Sequence, residues 1–104
     1  MFISCGNLKS EAKTYYNLHE NFIRIAEEAS RDQIITQTEA EKLNAMKFKI
    51  DELQKKVSAK LKDNDELKLQ WNAYGRELNG EFVIEKYIEA SFKLYDCEGV
   101  DLLD

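Results

Sequence analysis

From Leu8 to Leu61, apolar side chains recur at alternating steps of three and four residues, a spacing that the 3.6-residue turn of an α-helix gathers into one stripe. Leu8, Ala12, Tyr15, His19, Phe22, Ala26 and Ala29 form the first run, widened by Leu18 and Ile25 into a core face. They predict a helix from about Asn7 to about Ser30, with Asn7 or Ser10 as its cap. Leu43, Met46, Ile50, Leu53, Val57 and Leu61 form the second run. The stretch Arg31–Gln37 reads as the connector, because a start signal follows it. Thr36 with Glu39, and equally Thr38 with Glu41, has the form in which a hydroxyl and a carboxylate satisfy each other's backbone donors. With Thr36 as the cap, Ile35 can staple against Ala40.

Lys62-Asp63-Asn64-Asp65 is the next turn, and Asp63 with Glu66 predicts the cap of a third helix running through Leu67, Trp71, Tyr74 and Leu78. The apolar positions then lose phase and restart at Phe82, Ile84, Ile88, Phe92 and Tyr95. Asn79-Gly80 at the discontinuity suits a left-handed C-cap, and Gly75 weakens the preceding turns by up to about 1 kcal/mol. Gly99 ends the last helix and leaves Val100–Asp104 as a tail. The predicted fold is all-α, a single domain over residues 1–104: an antiparallel three-helix bundle whose third helix is kinked or split near Asn79-Gly80, with a four-helix up-down bundle as the alternative. The two differ at the thiols. Three rods put Cys5 and Cys97 at opposite ends, whereas four return them to one end, where a disulfide needs α-carbons within about 7 Å.

Composition supports long helices: proline is absent, glycine occurs four times, and Glu and Lys abound. At 104 residues a groove deep enough to bury a substrate would consume much of the core. Fifteen basic residues against twenty acidic ones give a net charge of −5, which disfavours nucleic acid as a partner. The charges are segregated. Lys42 to Lys62 holds seven lysines and two acids, whereas Glu81 to Asp104 holds seven acids and two lysines. The economical expectation is that helix 2 lies beside the last helix and the two sets complement each other across the surface. The alternative is a lysine face, with Lys49, Lys56 and Lys60, that meets a lipid headgroup or an acidic partner.

No constellation carries catalysis. His19, the sole histidine, lies on the core stripe, and Tyr16 stands three residues earlier, where a di-metal bundle site needs Glu. Cys5 and Cys97 have no metal-ligand spacing. Glu81, Glu85 and Glu89 form an i, i+4, i+8 acidic stripe that calls for positive charge nearby. The acids from Asp96 to Asp101 fall short of a calcium loop, and neither a phosphate loop nor a nucleophile elbow is present. No cofactor, metal or small-molecule substrate is expected, and the function read from the sequence is non-enzymatic. Tyr16, Ile23, Phe48 and Tyr87 look off-seam, and their clustering would make an exposed apolar patch for a protein partner. So regular a seam also suits pairing between copies as a coiled coil. No run of eighteen apolar residues occurs.

The N-terminal residues Phe2-Ile3-Ser4-Cys5-Gly6, followed at once by polar sequence, resemble the end of a bacterial lipoprotein signal. In that family a small residue precedes the cysteine that is lipidated. The resemblance covers about seven residues and lacks the charged and apolar regions that precede such a cysteine. It implies a start upstream of Met1, with Cys5 acylated and the helical domain standing off an envelope membrane through that lipid anchor. The alternative is that Phe2-Ile3 is an apolar arm packed on the helices of a cytoplasmic adaptor or regulator.

Overall fold

The computed structural model describes residues 3–104, with side chains from Leu8 onward; Cys5, the expected lipid attachment point, falls outside the described side chains. Four α-helices pack against one another: α1 (Ile3–Asp32), α2 (Gln37–Leu61), α3 (Asp65–Glu77) and α4 (Gly80–Leu94), followed by a single 3-10 turn at Val100–Leu102. The all-α expectation holds, and the third helix of the three-helix arrangement is divided in two at Leu78-Asn79. At about 1.5 Å per residue, the 30 residues of α1 nearly account for the 48 Å long axis of the molecule.

Thr36 caps α2 as expected. Its hydroxyl accepts from Glu39 N at 3.1 Å, and the Glu39 carboxylate accepts from Thr36 N at 2.9 Å. Ile35 and Ala40 on either side of this box are both buried in the main core cluster, where the staple would put them. The first helix runs two residues beyond Ser30 because Gln33 takes a left-handed φ of 59° and Ile34 N reaches back to Ala29 O at 3.2 Å, the long bond of a Schellman end. The cap of α3 is corrected by one residue. Asn64, not Asp63, accepts from Leu67 N at 3.1 Å, while Asp63 adopts φ 59° at the end of α2.

Asn79 and Gly80 divide the labour expected of the pair. Asn79 supplies the left-handed conformation, φ 55°, that stops α3. Gly80 supplies space: a Cβ there would fall 2.4 Å from the Tyr16 ring. Small residues elsewhere serve the same end, with Ala26, Ala29 and Ala90 buried where α1 meets α4.

The central helix is α1, on which both α2 and α4 pack. Lys60 of α2 reaches Glu11 of α1, so α2 runs antiparallel to α1. By contrast α4 runs parallel to it: Gly80 abuts Tyr16, Tyr87 packs on Phe22, and Cys97 lies under Ala29. Four alternating helices would have returned the chain toward the start of α1. That expectation fails because α3 does not carry the chain to the far end of α1: Trp71 lies beside Tyr15 and Glu77 beside Lys9, so α3 stays against the first half of α1. Cys97 is a free, buried thiol at the far end, where burial raises its pKa.

That far end is tied by a clasp. Ile35 N donates to Glu98 O at 2.7 Å and Glu98 N to Gln33 O at 2.9 Å, a short parallel pairing between the α1–α2 connector and the segment after α4. Gly99 follows with φ 90°. The tail is not loose: Asn44 donates through Nδ2 to Leu102 O and accepts from Asp104 N, both at 3.0 Å, and so straps residues 102–104 onto α2.

Candidate interaction surface

The helix that carries the candidate surface is α4, and its orientation corrects the sequence reading. Phe82, Ile84, Ile88, Phe92 and Tyr95 were expected to face the core. Instead Val83, Ala90 and Leu94 are buried, with Cys97 one turn further on. Phe92 and Tyr95 remain 65% and 70% exposed, and Ile88 and Phe82 are largely exposed as well. The reason is steric. Alanines 26 and 29 of α1 bring its axis close, and the slimmer Val83–Ala90 side fits that approach better than a row of Phe and Ile does.

The expected partner-binding residues do not assemble into one exposed cluster. Tyr16 and Tyr87 are half-buried and belong to an aromatic group with Tyr15, His19, Phe22 and Trp71, whose neighbouring rings meet at 4.6 to 6.5 Å between centroids. Ile23 packs against the core and lines a shallow groove with Phe82 and Val83. Phe48 alone is freely exposed, at 65%, on the outside of α2.

The lysines are placed differently from the economical expectation. Lys60 and Lys56 lie 2.7 and 3.7 Å from Glu11 of α1, not beside α4. Lys55 reaches only Glu52 of its own helix. No ion pair among the described residues involves Lys49, Glu81, Glu85 or Glu89. Because α1 separates most of α2 from α4, the two charge sets stay apart within one chain.

Between α2 and α4 lies a narrow groove of about 180 Å³, floored by Phe22 and Leu43, edged by Asn44 and Lys47 on one side and by Ser91 and Tyr95 on the other, and lined also by Val100, Leu103 and Asp104 of the strapped segment. Asn44 at the groove begins a stripe on α2 that continues through Phe48, Asp51 and Lys55, and Ser91 and Tyr95 at the groove end a stripe on α4 that starts with Ile84 and Ile88. Asp51 stands near enough to Tyr87 to add to the rise in its phenol pKa, which burial dominates. A larger open cleft of about 580 Å³ lies where α3 meets α4, with Tyr16, Trp71 and Arg76 on its walls and Glu81 and Glu85 on its rim.

His19 is fully buried. Its Nδ1 lies 2.7 Å from Tyr15 O, which can only accept, so Nδ1 carries a proton and donates it there. Burial lowers the His19 pKa from its ordinary value near 6.5, outweighing that hydrogen bond, which raises it. The unfolded chain therefore binds the proton more tightly than the native one. Its stabilising effect is complete above about pH 6.5 and declines as pH falls below that value toward the folded pKa. Urea unfolding at pH 7.5 and pH 5 should show the native chain losing more stability on acidification than His19→Gln does; equal losses would contradict a neutral buried imidazole.

Among the described residues, no group of three or more His, Cys, Asp or Glu side chains is disposed to hold a metal ion, and no helix is long and apolar enough to cross a membrane. Comparison of the chain with protein families, with curated proteins and with solved structures gave no match.

Proposed function

We propose that this protein is a small, non-enzymatic helical interaction protein that works through the outer face of α4. We read its fold as a three-helix bundle of α1, α2 and α4 braced by α3. The observation that carries the functional reading is the pair of apolar faces on α4. One is spent on α1, and the other, with Ile88, Phe92 and Tyr95 at successive turns, is held in water by a fold that has no internal use for it. Exposed aromatic and branched side chains in a row are what a partner's helix buries at the centre of an interface.

The lipobox-like Ser4-Cys5-Gly6 adds an address: a lipid on Cys5 would hold this face at a bacterial envelope membrane. Intact mass after expression from the native locus tests the address. A membrane-bound chain beginning at an acylated Cys5 supports it, and a soluble chain with an unmodified thiol replaces it with a cytoplasmic adaptor using the same face. A photo-cross-linking residue placed at Phe92, compared with one at Glu28 on the exposed side of α1, tests the face itself. Adducts in the native cell confined to position 92 are the expected result, and none at either position would overturn it.

A further inference from the structure

We infer that the occupant of the α4 face is a basic amphipathic helix of a partner protein, its apolar row seated on Ile88, Phe92 and Tyr95 and its Lys or Arg side chains on the glutamates beside them. The inference rests on the proposed use of the α4 face and adds the chemistry of what covers it. Counted at about 100° per residue, Ile88, Phe92 and Tyr95 fall within about 60° of one another, a single seam along the helix. Their 4-3 spacing is that of the anchors in helix recognition. All three stay largely exposed although residues 100–104 are strapped into the neighbouring α2–α4 groove, so the chain's own tail leaves the seam open.

Charge selects the partner. Glu85 and Glu89 lie about 20° and 60° beyond Phe92, on one border of the seam, and Glu81 lies between Ile88 and Phe92 in angle but nearer the start of the helix. All three glutamates are exposed at four-residue steps, where like charges repel, and none has an ion pair among the described residues. Lys86 and Lys93 are turned farther round, beyond Glu89, with Lys86 over the Phe82 ring at 5.6 Å. An acidic helix laid on this seam would set carboxylates against carboxylates, and an anionic lipid surface would set phosphates against them. A basic helix neutralises the border and buries the seam in one contact. The α3–α4 cleft extends the same border. Glu81 and Glu85 stand on its rim, Tyr16, Trp71 and Phe82 line it with aromatic carbon, and Arg76 is the one cation among its lining residues. Two carboxylates against one guanidinium leave the cleft net negative, and a net negative recess with aromatic walls suits the end of a Lys or Arg side chain reaching in from the partner.

Fluorescence anisotropy of the full chain with two labelled helical peptides tests this: one of leucine and lysine with its leucines on one face, the other with glutamate in place of lysine. The leucine–lysine peptide should bind at least about tenfold more tightly, because like charge along the border opposes the second. Phe92→Ala should weaken its binding by about tenfold or more, as loss of an interface anchor does. Glu85→Lys should weaken it by about tenfold, whereas Glu28→Lys, an equal change of net charge on the exposed side of α1, should leave it unchanged. All these positions are exposed, and helical circular dichroism confirms that each variant is folded. Equal affinity for the two peptides, binding of neither, or equal effects of the two charge reversals would overturn the inference. Self-association of the chain alone, or its flotation with phosphatidylglycerol vesicles, would also overturn it if Phe92→Ala abolished that behaviour, because the face would then belong to a different occupant. Cross-linking at position 92 separates this inference from the reading beneath it. Adducts in the cell without preference for the basic peptide sink the basic partner and leave the face standing, whereas no adduct and no peptide binding sink both.

Discussion

Replacing Leu43 with alanine should lower the free energy of unfolding by about 2–5 kcal/mol, the cost of losing buried methyl groups and leaving part of their volume empty. Leu43 is 1% exposed and belongs to the buried cluster that joins Phe22 and Ala26 of α1, Ala40 of α2 and Leu94 of α4. All three long helices meet at this side chain, so none can move into the void without losing contact with the other two. Its position on the groove floor has a second effect, because the cavity would open beside Tyr87 and Val100 rather than in a sealed core. Urea titration is the suitable measurement. The midpoint should fall with little change in slope, and for a chain whose whole stability is about 5–15 kcal/mol a loss at the upper end approaches unfolding. A loss below 1 kcal/mol would mean that the three helices do not converge there.

Gly99→Ala should cost about 2–6 kcal/mol, combining left-handed strain with overpacking. At φ 90° an L side chain is strained whatever surrounds it, and the new Cβ would lie 2.4 Å from Ile35 O. The obstacle is backbone, and that backbone cannot retreat without stretching the 2.7 Å bond from Ile35 N to Glu98 O. The damage should therefore be local first. Hydrogen exchange should accelerate at Ile35 and Glu98 more than at mid-helix amides of α1, as expected when one cooperative unit opens ahead of the rest. Unchanged protection at those two amides would count against the clasp.

The parts of this structure that sequence reasoning reached are those whose causes lie within a few residues. The Thr36–Glu39 box, the stop at Asn79 and the core stripes of α1 and α2 are all local, and each appeared where the pattern put it. The face of α4 was misread because that helix is apolar around most of its circumference. Hydrophobic periodicity chose the row of largest side chains, whereas the close approach of an alanine-lined α1 chose the slim row of Val83 and Ala90. Spacing of small residues on both helices was the signal that pointed the other way. The lysines of α2 were matched to the wrong acids for a related reason: charge counts along a chain do not say which helix stands between two others. Of the candidate surface, Phe48 was found and the Ile88–Phe92–Tyr95 row was assigned to the interior. The clasp and the strap, made by Glu98 and Asn44 with backbone far away in the chain, left no mark in any local pattern.

Those two fastenings bear on the order in which the protein comes into being. Asn44 finds its partners 58 and 60 residues later, and Gln33 and Ile35 wait for Glu98. A ribosome making this chain releases α1 and α2 long before it makes the residues that lock their connector, so the early hairpin must persist unlatched. The ordering of its far end waits until the residues from Glu98 onward have been made.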